Sequence, residues 1–276
     1  MKHQFPDGKN RISTVIITQD DEERIGAAIE TCRSFSDEIV VIDGGSKDRT
    51  MQVAERLGCK VWLNPWPGYA KQRAYGIERA AWDWVFLIDT DEVVSDELAA
   101  SILAAKDEGM DPLTAYELYR IGDFLGKWLD RGEYLVRFYN RSQYQMSASL
   151  VHEVPEVPGE HIRQLSGVLW HHGFRSIHDH VQRFNKYTDL EAQIALEANK
   201  PFSIIRLLYR PPARFIQKYI VHGLYKKGVP GLAVSFFWVM YEYMVHFKIY
   251  EQTRAKGNVK TGSAARVKEE RSYAAR

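Results

Sequence analysis

The run Trp84-Val85-Phe86-Leu87-Ile88 leads straight into Asp89-Thr90-Asp91-Glu92, and this junction constrains the chain more than any other stretch. Five apolar residues, two β-branched and two aromatic, predict a strand covered on both faces, so the acids fall where the strand leaves the sheet. Ligands of open α/β sheets gather at that edge. Two carboxylates spaced i, i+2 on a turn can face one hard divalent cation, whose remaining ligands are waters and a substrate diphosphate. Asp89 and Asp91 therefore read as a metal-diphosphate site, although an isolated Asp-x-Asp is also compatible with a solvated turn or a helix cap.

The residues before this junction fix its context. Ile12–Thr18 is a β-branched run predicted as a strand, followed by Gln19-Asp20-Asp21-Glu22-Glu23, which offers N-caps and an acidic first turn for a helix reaching about Phe35. Glu38–Asp43 predicts a second strand. Gly44 to Thr50 then turns into a helix through Leu57, with Gly58 as its C-cap. Lys60–Leu63 predicts a third strand and Tyr69–Ala81 a third helix. Strand and helix in strict alternation mean a parallel sheet.

Which chemistry such a sheet carries is narrowed by its loops. The first strand-helix turn contains no glycine and is acidic, so it repels the pyrophosphate of a dinucleotide seated in the usual way. The P-loop pattern is absent too. A diphosphate must instead be neutralised by a cation. With 276 residues, 45% of them apolar, the chain can bury a large α/β core, and a formal net charge of +1 gives no global field for nucleic acid. Cys32 and Cys59 form no spaced framework and read as small buried hydrophobes in a reducing compartment. The polar stretch Met1 to Arg11 lacks the apolar region of a secretory signal, so the catalytic part is expected to face the cytoplasm.

Val40 to Thr50, then Trp66-Pro67-Gly68-Tyr69, then Asp83 to Glu92 together resemble family 2 glycosyltransferases with the GT-A fold, most closely the lipopolysaccharide-core β-glucosyltransferase group. The resemblance implies a Rossmann-like nucleotide-sugar-binding sheet followed by mixed strands on the acceptor side. It implies that Thr18 and Asp43 line the uridine end of the donor pocket, that Asp91 binds a metal, and that Asp89 contacts the ribose or the metal. Asp43 could instead cap the helix after it. Lys71 and Arg73 share a helix facing the same sheet edge, where each could contact the diphosphate or be solvated. Two departures bear on the donor nucleotide: many relatives have a second acid where Gly44 stands, and often Asn where Ala74 stands.

From Ala115 the pattern changes to strands, Ala115–Ile121 and Tyr134–Asn140. Leu150 to Val154 reads as an apolar strand interrupted by His152 and Glu153, which is costly unless these groups are paired or face a cleft. Inverting transfer needs a carboxylate to take the acceptor hydroxyl's proton, and Glu153 is the candidate base, with Glu156, Glu160 and Asp130 as rivals. His152 reads as a strand-end histidine. His171, in Trp170-His171-His172-Gly173, matches the family's histidine best and is a candidate metal ligand or diphosphate contact. The cofactor is Mn²⁺ or Mg²⁺, an imidazole ligand favouring manganese.

Ser176 to Asn199 has helical periodicity and is expected to pack on the catalytic domain. Between Ile204 and Gly228 six basic residues and no acid interleave with aliphatic and aromatic side chains, the composition of an interfacial helix on anionic lipid. Val229–Tyr250 is more apolar, but Pro230, Glu242, His246 and Lys248 interrupt the roughly 20 residues a spanning helix needs. A helical hairpin on or dipping into the membrane is expected, with burial against the catalytic domain or a partner subunit as the competing reading. The tail from Gln252 carries seven basic residues against Glu269 and Glu270 and is expected to be disordered, with no stacking platform for nucleic acid. The resulting layout is a GT-A domain over 1–200, a membrane-associating helical region over 201–251 and a basic tail over 252–276. The expected activity is metal-dependent inverting transfer of a hexose from a UDP-linked sugar to a saccharide or lipid-linked acceptor, peripheral to the cytoplasmic face of the inner membrane. A non-catalytic nucleotide-sugar-binding scaffold is the alternative.

Overall fold

The computed structural model describes residues 10–129, 131–145, 155–173 and 176–261. Two compact units emerge. The first comprises residues 1–123 and 131–173; the second comprises 124–130 and 174–276.

In the first unit the expected parallel half is present. β1 (Ile12–Thr18), β2 (Glu38–Asp43), β3 (Lys60–Leu63) and β4 (Trp84–Asp89) pair in the order β3-β2-β1-β4, all parallel. The β-branched runs of β1 and β4 are buried along almost their whole length, as strands covered on both faces must be. Helices α1 (Ile25–Cys32), α2 (Thr50–Arg56) and α3 (Tyr69–Arg79) make the crossovers. Gly76 lets α3 lie directly on the sheet, since a Cβ there would collide with Val15 and Ile42.

β5 (Glu92–Val94) follows, then α4 (Asp96–Glu108), β6 (Ala115–Phe124), β7 (Lys127–Trp128), β8 (Glu133–Asn140) and β9 (Ile162–His171). β8 joins the edge of β4 antiparallel, and the ladder continues through β6 and β9 to β5. Only Thr90 and Asp91 separate β4 from β5, yet four pairings separate them in the sheet. The mixed half must therefore curl until its last strand returns to the C-terminal end of β4. This curl, with the parallel half, is the GT-A arrangement the resemblance implies.

β5, α4, β7 and β9 have no counterpart in the pattern reading. α4 is capped by Ser95, whose Oγ accepts the Leu98 N–H at 3.2 Å. β9 passes beneath it through Gly167, at φ +96°, where a Cβ would meet the Leu98 backbone. The acids after β1 depart from expectation, because α1 has no side-chain cap and no acid in its first turn. They tie loops together instead: Asp20 accepts the Lys47 N–H at 2.7 Å, Glu22 accepts that of Arg49 at 2.9 Å, and Asp48 accepts that of Glu22 at 3.0 Å. Backbone donors of the neighbouring loop won the competition for these carboxylates.

In the second unit α5 (Ile177–Glu197), α6 (Ile204–Phe215) and α7 (Val229–Thr261) pack together, with a π-helical turn over Ile216–Val221 and a 3₁₀ turn over Leu224–Lys227. α5 belongs with these helices, so the compact units divide after Gly173 and not at 200. α7 continues to Thr261, past the start of the expected tail; residues 262–276 lie outside the described ones.

Phe184, Tyr241, Val245 and Ile249 form the α5–α7 core. His180 is buried among rings, 5.1 Å from Phe124, 4.1 Å from Phe184 and 4.5 Å from Phe237. Burial outweighs the charge of Asp179 and pushes its pKa down to about 4. The folded state therefore holds His180 neutral at pH values where the unfolded chain, near 6.5, protonates it. Stability contributed by the neutral ring is full above 6.5, falls as pH drops towards 4, and is level below. Thermal melts of wild type and His180→Phe from pH 7 to pH 4 should diverge across that window; parallel curves would refute the assignment.

Candidate active site

The curl brings a cluster of charge to the end of β4. Arg73 on α3 donates through Nη2 to both Asp89 oxygens, at 2.8 and 2.9 Å, and Arg137 on β8 lies 3.5 Å from the same carboxylate. Burial opposes ionisation of Asp89, but Arg73, Arg137 and Arg120 outweigh it and hold the carboxyl far below its usual range. Asp89 is thus an anion throughout the functional pH range.

Glu92 completes the cluster. It is fully buried, accepts the Asp89 N–H at 3.0 Å, pairs with Arg120 on β6 at 3.0 Å and lies 3.6 Å from Arg137. Arg120 also meets Glu133. Such networks cost desolvation to form, and removing one partner strands the rest, typically by about 3–5 kcal/mol. Glu92→Gln should accordingly lower unfolding stability by about 3 kcal/mol in urea titrations; a change below about 0.5 kcal/mol would show that the network does not hold the turn.

Asp91 stands on the other side of the turn. Its Oδ2 is 3.5 Å from Nε2 of His171, the last residue of β9, which the β5–β9 register sets opposite Glu92. Burial would lower the pKa of His171, but the hydrogen bond and charge of Asp91, with the charge of Glu92, raise it above that of free histidine. The turn itself is stitched in place. Thr90 Oγ1 donates to Asp21 at 2.7 Å, Arg24 holds Asp21 with two bonds of 2.8 Å and the His172 carbonyl with a third, and the His172 N–H donates to the Asp91 carbonyl at 2.7 Å. A cleft of about 270 Å³ opens here, lined by Arg24, Thr90, Asp91 and His172 among others.

The donor set fits a divalent cation, with one carboxylate and one imidazole within reach of a single ion. Among the described residues no third His, Cys, Asp or Glu joins them. A cation there would draw its other ligands from diphosphate and water.

Thr18 and Asp43 sit opposite each other at the ends of β1 and β2. The Thr18 hydroxyl is buried and has no hydrogen-bond partner among the described residues. The Asp43 carboxylate accepts the N–H groups of Gly45 and Ser46 at 2.8 and 2.7 Å and the Ser46 hydroxyl at 2.5 Å, so it shapes its own loop. Gly44 lies under Trp66, whose ring would be 2.7 Å from a Cβ; an acid at that position has no room. Lys71 is exposed on α3. Glu153, His152 and Asp130 lie outside the described residues, while Glu156 and Glu160 are exposed.

Sequence reasoning placed Asp89, Asp91, Arg73 and His171 at one edge, and the structure brings them together. It passed over Glu92, Arg120 and Arg137. The local signal for the two arginines was a charged residue between apolar neighbours in a strand, Arg120 between Tyr119 and Ile121 and Arg137 between Val136 and Phe138.

Residues 13–160 match the family model described as "Glycosyl transferase family 2". The chain is 30% identical over 262 residues to the lipopolysaccharide core biosynthesis glycosyltransferase LpsC of Rhizobium meliloti, covering 90% of this chain and 96% of that one. It is 28% identical over 265 residues to an uncharacterized glycosyltransferase of Rickettsia typhi, covering 90% of each. Among solved structures, glucosyl-3-phosphoglycerate synthase from Mycobacterium tuberculosis, in complex with Mn²⁺, UDP and glucosyl-3-phosphoglycerate, superposes with a TM-score of 0.47 at 16% identity over 70% of this chain and 81% of that one.

Proposed function

We propose, from the premise that this chain belongs to glycosyl transferase family 2, that it moves a hexose from a UDP-linked sugar, with inversion, to a saccharide or lipid-linked acceptor in the synthesis of lipopolysaccharide or a related envelope polysaccharide. The observation that carries this reading is the Asp91–His171 pair, 3.5 Å apart at the carboxyl edge of the parallel sheet. These two residues would hold Mn²⁺ or Mg²⁺, which when bound supplies positive charge to the departing diphosphate.

The chain's own groups do the rest. Thr18 offers its unpartnered hydroxyl to the uridine end, and Asp43 contributes by fixing the Gly44–Ser46 turn. Asp89, kept ionised by Arg73 and Arg137 and not joined to Asp91 and His171, serves the ribose rather than the metal, from a fixed position. Arg73 shares its guanidinium between Asp89 and the diphosphate, and Lys71, on the same helix, adds a cation. Glu153 takes the acceptor's proton. The basic, aromatic helices favour an enzyme peripheral to the cytoplasmic face of the inner membrane, where a lipid-linked acceptor resides.

Incubation with UDP-hexoses and no acceptor tests the proposal. A transferase should release free sugar slowly in the presence of Mn²⁺. A chain that binds the donor and releases none is a scaffold.

A further inference from the structure

Three side chains that break the apolar pattern of α7 do not face outward. Glu242 is buried and pairs with Arg214 at 2.6 Å and Arg210 at 3.3 Å, both on α6. His246 is buried, its Nδ1 3.0 Å from the Glu242 carbonyl. Lys248 reaches α5, meeting Asp189 at 2.7 Å and Thr188 Oγ1 at 2.8 Å. With Glu242 and Lys248 tied to two neighbouring helices and His246 buried on its own helix, α7 presents an unbroken third face: Leu232, Phe236, Met240, Tyr243, Phe247 and Tyr250, spaced by three or four residues and all exposed. The ring of Phe215 on α6 lies 5.8 Å from that of Phe236, and α6 with its π turn adds Ile205, Leu208, Ile216 and Ile220, Leu208 being 68% exposed.

We propose that this face of the α6–α7 pair is a monotopic anchor, lying flat in one leaflet of an anionic membrane without crossing it. Segment Leu224–Arg254 is long and apolar enough to span, with a mean hydropathy of 1.2 over its most apolar window. Spanning would nevertheless pull α5 into hydrocarbon, and α5 exposes Lys186, Asp189, Gln193 and Glu197. Charge selects lipid over a second copy of the chain. Residues 204–228 carry six Lys and Arg and no acid; Glu242 answers Arg210 and Arg214, but the exposed Arg206 and Lys226 would meet their own counterparts in an isologous pair, whereas anionic headgroups answer them. Tyr209, Tyr243 and Tyr250 suit the headgroup boundary, with apolar rings and polar tips.

The inference rests on the peripheral-membrane part of the functional reading and needs none of the transfer chemistry. Full-length protein should sediment with vesicles of phosphatidylcholine and phosphatidylglycerol, and less with phosphatidylcholine alone. Phe236→Asp with Phe247→Asp, both exposed positions, should reduce binding to either vesicle about tenfold or more with an unchanged circular dichroism spectrum. Lys226→Glu with Lys227→Glu should weaken binding only where phosphatidylglycerol is present. In a Cys32→Ser, Cys59→Ser background, Lys226→Cys and Thr253→Cys, exposed positions off the apolar face at the two ends of the segment, should both react with an impermeant maleimide on bound vesicles. Protection of either end would mean a span, and a soluble dimer dissolved by Phe236→Asp without vesicle binding would give the face to a second copy; each overturns the proposal, as does wild type that ignores vesicles. Binding needs no nucleotide, so its absence would leave the transferase reading intact, and a vesicle-bound protein without activity would leave the anchor intact.

Discussion

Asp91→Ala should lower turnover about a thousandfold while the protein stays folded. The size follows from losing one of two protein ligands to a cation that contributes several kcal/mol to the departing diphosphate, at tenfold per 1.36 kcal/mol. Survival of the fold follows from what holds the turn. Among the described residues the Asp91 side chain has only His171 beside it as an ion-pair partner, whereas the turn is fixed by the Asp89 N–H on Glu92, by Thr90 on Asp21 and by the His172 N–H on the Asp91 carbonyl. Steady-state transfer assays with a matched thermal melt check both halves. A variant retaining a tenth of the activity would remove Asp91 from the mechanism.

Glu153→Gln should separate binding from chemistry. The amide keeps the size of the carboxylate but cannot accept the acceptor's proton, so turnover should fall by about 10²–10⁴ with UDP affinity unchanged. Glu153 stands in an apolar stretch of sequence beside His152, and its rivals Glu156 and Glu160 are exposed. If Glu153→Gln turns over within a few fold of wild type, the base is another acid. If it also loses UDP, Glu153 belongs to the donor pocket.

The parallel half of the fold was legible because each of its strands is a local run of β-branched or aromatic residues ending in a turn signal, as Glu38–Asp43 before Gly44 and Gly45 illustrates. Asp91 and His171 were named as ligands of one metal through the family resemblance alone. The residue pattern did not show their meeting, because it depends on β5 pairing with β9, a contact between residues far apart in sequence whose strands carry no joint pattern. The same curl hides the Arg73–Asp89–Arg137–Glu92–Arg120 cluster, built from five elements. Charge patterning along α7 misled in a different way. Glu242, His246 and Lys248 read as breaks in an apolar helix, but Glu242 pairs with α6, Lys248 with α5, and His246 is buried on the carbonyl of Glu242, so only the packed unit shows that the remaining face is continuous.

Calorimetric titration with UDP, GDP and CDP, each with and without Mn²⁺, on wild type and on Asp91→Ala, tests the central claim most directly. Because His171 must be neutral to bind a cation and its pKa is raised, the titrations belong well above pH 6.5. The account predicts UDP binding that requires Mn²⁺ in wild type and disappears in Asp91→Ala. UDP binding indifferent to the metal, or equal in the two proteins, would contradict it.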